Sequence, residues 1–204
     1  MTTGLTTACL REGFEGVVRK LEACADELNS LDAALGDGDL GVTMVRGGRS
    51  VLAELPSLPE DVGMALAKCA QAFTKISGST LGTLLATGLM GAARRTKGRT
   101  EVPWSEVSPL LADALAAMSQ RGKGQLGDKT ILDALDRARA ATQGLADPQA
   151  LIDAVGAAVA ASIEEFRNQP ARQGRARIFG EKSIGRDDPG MVAFKYMIAG
   201  LQER

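Results

Sequence analysis

Apolar residues recur every three to four positions along most of the chain, which is the spacing of one face of an α-helix. The longest such stretch covers residues 5–30, with apolar positions at Leu10, Phe14, Val17, Val18, Leu21, Cys24 and Leu28. The same pattern predicts helices over 42–54, 60–73, 79–95, 104–120, 129–142, 148–167 and from 188 onward. Asp128 and Asp147 are the predicted N-caps of two of these helices. No segment shows the sustained alternation of a strand bounded by hairpin turns. The sequence therefore predicts a single all-α domain over 1–204, built from eight amphipathic helices.

The composition excludes several classes of function. The chain contains no histidine, so a Ser-His-Asp triad, a histidine-ligated zinc and a phosphohistidine intermediate cannot form within it. Its formal net charge of -1 gives no long-range attraction for a polyanion, which argues against a nucleic-acid partner. The three cysteines lack metal-type spacing, and the sequence shows neither a secretory signal nor an apolar run that could span a bilayer. We therefore expect a cytoplasmic protein without a membrane partner.

Three aspartates, Asp32, Asp37 and Asp39, share one glycine-bearing loop between the first two predicted helices. Carboxylates this close repel one another unless a cation joins them. A ligand set made only of carboxylates favours a hard ion, and Mg²⁺ commonly shares its coordination shell with phosphates. The spacing of an EF-hand calcium loop is absent. A solvated turn between two helices is the alternative, because Asp and Gly are common turn residues.

Two further glycine-bearing segments could hold an anion and a flat ring. Residues 77–80 precede an apolar helix that carries Gly82 and Thr83, and the free amides at a helix start attract anions. An ordinary serine N-cap is the alternative at this position. Segment 122–130 nearly spells a P-loop, but Asp128 interrupts the motif and a helix rather than a strand precedes it. We interpret it as a glycine turn before a capped helix, suited to packing against a nucleotide base.

A basic segment lies near the end of the chain, immediately before Asp188, Pro189 and Gly190. Its cations are Arg172, Arg175, Arg177, Lys182 and Arg186. Guanidinium groups match the geometry of phosphate, and the mixture of charges suggests a loop that closes over a charged ligand. A solvated surface loop is the other interpretation that the composition allows.

These four segments, in this order, resemble the DhaL (DAK2) domain of dihydroxyacetone kinases. The matching stretches are 31–41, 77–83, 121–133 and 171–190, so the resemblance spans nearly the whole chain. It implies a barrel of eight antiparallel helices with the nucleotide at one end. It also implies a separate DhaK-type subunit, which holds dihydroxyacetone or a related short keto-sugar through a histidine that this chain lacks.

The resemblance also implies the residues of the site. Asp32, Asp37 and Asp39 are expected to hold two Mg²⁺ ions that bridge the phosphates of ADP or ATP. The implied nucleotide contacts are Leu40, Gly41, Thr43, Ser77, Gly78, Thr83, Gly122, Ile131, Arg175, Asp188, Pro189 and Gly190. Arg175 is the implied catalytic residue, on the basic segment that is expected to close over the ligand. The chain departs from the family at Leu40, where histidine is common, and at Thr74 and Lys75, which replace a glycine pair.

Three functions follow from these observations. The first is a kinase subunit whose donor is ATP, or bound ADP that is recharged by a phosphohistidine protein of a phosphotransferase system. The second is a regulatory module that holds the nucleotide and grips a transcription factor without catalysis. The third is an unrelated helical scaffold, which the four ordered motifs disfavour. The resemblance also leaves room for a homodimer.

Overall fold

The computed structural model describes residues 4–76 and 78–203. The described residues contain nine α-helices: α1 (Thr7–Ala23), α2 (Ala25–Ala33), α3 (Leu40–Glu54), α4 (Val62–Ile76), α5 (Thr80–Thr96), α6 (Val107–Gly122), α7 (Ile131–Ala141), α8 (Pro148–Arg167) and α9 (Pro189–Gln202). Short 3-10 segments occupy Leu55–Ser57, Trp104–Glu106 and Arg175–Ser183. Strands β1 (Gly4–Thr6) and β2 (Glu101–Pro103) pair in antiparallel register, with Leu5 opposite Val102.

Eight of the helices form a closed ring. Helix α1 packs against α3, each helix from α3 to α8 packs against its successor, and α9 packs back against α1. Helix α2 follows α1 almost directly and packs against α3 and α9. The all-α class and the eight-helix barrel are therefore confirmed. None of the helices in the described ranges is long and apolar enough to cross a membrane.

The structure differs from the predicted elements in three places. The helix predicted over 5–30 is divided at Cys24, whose ψ of 10° leaves the helical range. The two short strands went unpredicted because three residues are too few to show alternation. Thr130, not Asp128, is the N-cap of α7: its side chain accepts from the Leu132 amide. Asp128 instead accepts from the amide of Gln125 within the preceding turn.

Apolar side chains fill the barrel and hold its helices in place. Leu28, Met44 and Val159 are fully buried in the main core. A second core cluster joins α4, α5 and α6 to β2 through Val62, Leu66, Ala93, Val102 and Leu110. The helix ends are therefore attached to a well-packed frame, on which the connecting loops are carried.

The up-and-down course of the chain gathers four loops at one end of the barrel. Helices α3, α5, α7 and α9 begin at this end, where α2, α4, α6 and α8 finish. In the described residues, the loops between them occupy 34–39, 78–79, 123–130 and 168–188. Each of these loops lies within or beside one of the four segments that the sequence analysis singled out, so separate motifs become parts of one surface.

Candidate functional site

A cleft with a volume of about 340 Å³ opens at this end of the barrel, and all four loops or their adjoining helix ends line it. Ten residues predicted from the sequence are among its lining residues: Asp32, Asp37, Asp39, Leu40, Gly122, Ile131, Arg175, Asp188, Pro189 and Gly190. They come from positions more than 150 residues apart in the chain. The fold therefore brings the aspartate loop, the glycine turn and the basic loop together.

Four predicted contacts do not line the cleft in the described part of the chain. Gly41 is buried between α2 and α3, where a Cβ would overlap the carbonyl oxygen of Ala25. Thr43 and Thr83 lie in the first turns of α3 and α5, with their amides bonded to carbonyl oxygens of their own helices. Gly78 is exposed in its loop beside the cleft. Ser77 lies outside the described residues.

The aspartate loop folds its three carboxyl groups toward one point. Asp32, near the end of α2, accepts hydrogen bonds at Oδ2 from the amides of Gly38 at 2.9 Å and Asp39 at 3.2 Å. Gly38 has a φ of 77°, which a side chain would make unfavourable, and it turns the chain so that Asp37 and Asp39 face Asp32. One oxygen from each carboxylate lies within 4.8 Å of the others.

The electrostatics of this cluster favour a bound cation. Burial raises the pKa of Asp32, and the neighbouring charges of Asp37 and Asp39 raise it further against the effect of the two amides. The hydrogen bond from Arg175 holds the pKa of Asp37 below its ordinary value. Three carboxylates thus face one guanidinium. The donor set contains only hard oxygen ligands with excess negative charge, which suits Mg²⁺.

Four helix N-termini face the same cleft. The first residues of α3, α5, α7 and α9, which are Leu40, Thr80, Ile131 and Pro189, all line it. The start of a helix carries partial positive charge, which attracts anions. Side chains already cap some of the first-turn amides, as Ser79 does for Gly82 and Asp188 for Met191. The cleft therefore combines carboxylates for a cation with helix starts for an anion, which is the arrangement that a metal-bound phosphate requires.

An apolar slot forms the other part of the cleft. Leu81 and Leu84 of α5 face Ile131 and Leu132 of α7, and the glycine turn closes the slot between them. A Cβ on Gly122 would come within 2.9 Å of Leu84 Cδ2, so the slot narrows there. Such a slot can accept the face of a flat ring.

Several lining residues were not predicted individually: Leu35, Ser79, Thr80, Leu81, Leu84, Gly124, Thr130, Leu132, Gln173, Gly174 and Ala176. Most of them lie within or beside a predicted segment, as Ser79 and Thr80 do in 77–80 and Gly124 and Thr130 do in 122–130. Helical periodicity identifies an inward face without distinguishing a core from a cleft wall, and Leu81 and Leu84 belong to both: they pack against the main core and line the cleft. Gln173 and Gly174 lie beside Arg175, so proximity to the predicted arginine was the available signal.

The basic loop is seated directly on the glycine turn. The side-chain amide of Gln173 donates to the Gly122 carbonyl oxygen at 3.2 Å. The backbone amide of Arg172 donates to the Asp128 carbonyl oxygen at 3.0 Å. From this position, Arg175 reaches across the cleft to form an ion pair with Asp37.

The fold and the cleft define a helical-barrel protein whose cleft is suited to a metal-bound anion. The sequence profile of the DAK2 domain family matches residues 34–203. The chain is 31% identical over 198 residues to "PEP-dependent dihydroxyacetone kinase, ADP-binding subunit DhaL" of Escherichia coli, covering 91% of this chain and 94% of that relative. It is 33% identical to "Triokinase/FMN cyclase" of Homo sapiens, but spans only 34% of that protein.

The structural comparison agrees with the sequence comparison. The dihydroxyacetone kinase of C. freundii, in complex with AMP-PNP and Mg²⁺, matches all of this chain with a TM-score of 0.76 and 25% identity. The match covers 35% of that kinase chain. The chain therefore belongs to the DAK2 domain family, and the resemblance predicted from the four motifs is confirmed.

Proposed function

We propose that this chain is the nucleotide-binding subunit of a dihydroxyacetone-type kinase. It holds ADP or ATP with Mg²⁺ and serves phosphoryl transfer to dihydroxyacetone or a related short keto-sugar, which a separate DhaK-type subunit carries. The observation that carries the proposal is the meeting of three carboxylates with four helix N-termini in one cleft. The proposal is also supported by the names of the relatives that the chain matches over most of their length, which are ADP-binding subunits.

Two kinds of surface in the cleft would bind the two parts of the nucleotide, its phosphates and its adenine. Asp32, Asp37 and Asp39 would hold two Mg²⁺ ions, which offset the charge of the phosphates and so reduce the repulsion that an attacking hydroxyl meets. The start of α5, with Ser77 and Gly78, would receive the phosphates, and Leu40 at the start of α3 would border them. Gly122 and Ile131 would enclose the adenine in the apolar slot, with Asp188, Pro189 and Gly190 completing the wall.

Arg175 is the proposed catalytic residue. Its guanidinium lies beside the aspartate cluster, where its planar set of donors can reach phosphate oxygens. Charge that develops on a transferring phosphoryl group is stabilised most strongly by donors that are already in position. The hydrogen bonds of Gln173 and Arg172 to the glycine turn give the loop that carries Arg175 a definite position.

The acceptor requires a partner because this chain has no histidine with which to hold a carbonyl. We propose bound ADP as the resident form, recharged by a phosphohistidine protein, since the relatives that the chain spans are named PEP-dependent. The free thiols of Cys24 and Cys69 support a cytoplasmic location. We further propose that residues 1–204 act as one domain.

The test is turnover of dihydroxyacetone by the purified full chain with and without a DhaK-type subunit. Positioning can supply roughly 7–11 kcal/mol of a barrier, so the chain alone should remain near background. Addition of the partner with ATP, or with a phosphohistidine donor, should restore turnover and identify the donor. Arg175→Ala should lower the restored rate roughly 10²-fold.

The matched control is Arg137→Ala, which breaks an exposed ion pair with Glu165 away from the cleft and should leave turnover unchanged. Turnover at ordinary kinase rates without a partner would overturn the assignment as a subunit. Mg–ADP binding without turnover in the presence of partner and donor would favour the regulatory module instead.

A further inference from the structure

A buried lysine, Lys129, lies behind the cleft within the 122–130 segment. Neither the motifs nor the proposed function gives this residue a role. Lys129 is 1% exposed and has a φ of 62°, which is uncommon for a residue with a side chain. Its ammonium donates to three backbone carbonyl oxygens, those of Arg167 at 3.0 Å, Gln169 at 2.9 Å and Ser183 at 2.9 Å. An ammonium has three donors and no acceptor, so these bonds use its full capacity.

The three carbonyl groups belong to the two ends of one segment. We call residues 168–188 the closing loop, which leaves α8 after Arg167 and enters α9 at Pro189. Arg167 and Gln169 lie where the loop departs, and Ser183 lies where it returns. The side chain of Lys129 therefore joins the beginning of the closing loop to its end.

Ser183 strengthens the same junction. It is fully buried, and its hydroxyl accepts from the amide of Ala171 at 2.8 Å while donating to the carbonyl oxygen of Gly180 at 2.6 Å. Arg167 adds a bidentate ion pair with Asp187 at 2.7 and 3.0 Å. The base of the closing loop is thus held by directional bonds from the buried side chains of Lys129 and Ser183 and by a partly exposed ion pair.

The part of the loop beyond this junction carries the functional groups. Gln173 and Arg175 lie between Ala171 and Ser183, so both depend on how the base is held. Arg175 reaches Asp37 on the opposite side of the cleft. Lys129 also directly precedes Thr130 and Ile131, which form the adjoining wall. Lys129 therefore connects the closing loop with the wall of the cleft that Thr130 and Ile131 form.

A charged group is buried here although burial is unfavourable to it. Burial lowers the pKa of Lys129, and the charges of Asp188 and Asp187 act in the opposite direction. An apolar side chain could fill the same space, but it would remove one donor from each of the three carbonyl groups, of which those of Arg167 and Ser183 also accept from backbone amides. The chemistry of the position thus calls for a tripod of donors, which the planar guanidinium of arginine does not provide.

We propose that Lys129 is a positioning residue, which fixes Arg175 over the three aspartates by holding both ends of the closing loop. This inference rests on the proposed function, because its consequence is measured on Mg–ADP. It concerns no contact between Lys129 and the nucleotide. Its effect on Mg–ADP binding is expected to pass mainly through Arg175, the loop residue that reaches the aspartate cluster.

The experiment is a double-mutant cycle on the full chain with Lys129→Met, which keeps the length of the side chain and removes its donors. Mg–ADP affinity is measured by calorimetry, and hydrogen exchange is followed for residues 170–186. We expect faster exchange in this segment and roughly tenfold weaker binding. In an Arg175→Ala background the same substitution should change affinity less than about twofold, because the group that it positions is already gone.

A purely structural role gives a different pattern. In that case the losses of affinity caused by Lys129→Met and Arg175→Ala would multiply in the double variant. In addition, Leu66→Ala in the second core cluster, which serves as a variant with a similar fall in melting temperature, would weaken Mg–ADP binding as much as Lys129→Met does. Either result would overturn the inference, as would unchanged exchange over 170–186. A wild-type chain that binds no Mg–ADP would instead overturn the proposed function, while the exchange data still decide whether Lys129 holds the loop.

Ser183→Ala provides a second route if Lys129→Met does not fold. It removes two hydrogen bonds at the same junction, so we expect faster exchange over 170–186 and weaker Mg–ADP binding. In the Arg175→Ala background the substitution should no longer weaken binding. Ser162→Ala is the control, because Ser162 is equally buried but bonds only within α8, to Val159 at 2.8 Å. A Ser183→Ala protein with wild-type exchange and affinity would overturn the inference.

Discussion

Arg175 and Asp37 form an ion pair that joins the closing loop to the aspartate loop across the cleft. The pair lowers the pKa of Asp37 and raises that of Arg175, so each group stabilises the charge of the other. In the proposed function the same two groups serve a metal and a phosphate. The arginine therefore neutralises part of the cluster in the protein alone, and a nucleotide must arrive together with its cation to replace this pairing.

Asp37→Asn should weaken Mg–ADP binding steeply, because one ligand charge disappears from the cluster while Arg175 loses its partner. Calorimetry in Mg²⁺ and in EDTA measures the effect, and EDTA should abolish binding to the wild-type chain. Asp113→Asn is the matched control, since Asp113 pairs with Arg95 outside the cleft. Wild-type affinity in the Asp37 variant, or in EDTA, would contradict the metal assignment.

Mg–ADP should raise the melting temperature, since a ligand that binds only the folded protein stabilises it. A free concentration about a hundredfold above the dissociation constant adds roughly 2.7 kcal/mol to the free energy of unfolding. A thermal scan with and without EDTA separates binding of the metal complex from binding of the nucleotide alone. The absence of a shift at saturating Mg–ADP would show that the assigned cleft is not the site.

Substitution by alanine should affect stability at one glycine and Mg–ADP binding at another. Gly41→Ala should cost about 1–3 kcal/mol of stability, because its Cβ would overlap the backbone of Ala25 where α2 and α3 meet. Gly78→Ala meets no atom within 4 Å and should leave the melting temperature unchanged. It should nevertheless weaken Mg–ADP binding if the phosphates approach the backbone there. Wild-type affinity would remove Gly78 from the proposed site.

Asp188 should make stability fall as the pH rises. Its carboxylate caps α9 by accepting from the Met191 amide at 2.9 Å, and burial raises its pKa from 3.8 to about 6, with Asp133 adding to the effect and Lys129 opposing it. The folded protein therefore binds this proton more tightly than the unfolded chain. The resulting stabilisation is complete below about pH 3.8 and is lost as the pH rises through about 6.

Asp188→Asn keeps the capping acceptor and removes the titration. The stability of this variant relative to wild type should increase between about pH 4 and 6, as followed by thermal melts. Asp147→Asn makes the same change at the exposed N-cap of α8 and is the matched control. A relative stability that does not vary with pH would show that Asp188 is not the titrating group.

The sequence predicted those features that depend on neighbouring residues. Helical periodicity placed the helices, because burying one face demands apolar residues at fixed intervals. The aspartate cluster could also be predicted from the sequence, because Asp32, Asp37 and Asp39 lie within eight positions of one another. The N-cap of α7 was predicted two residues early, because Asp128 and Thr130 are both good capping residues and only the turn of the backbone between them decides.

The tertiary structure alone decided what depends on distant parts of the chain. Leu81 and Leu84 pack against the main core and also line the cleft, because the barrel stays open at the end where α5 begins. Helical periodicity does not reveal this second role. Lys129 follows an aspartate in a polar turn, and nothing local indicates that its ammonium is buried. Its three partners lie 38 to 54 positions away, and backbone carbonyl groups that accept a hydrogen bond carry no signature in the amino-acid sequence.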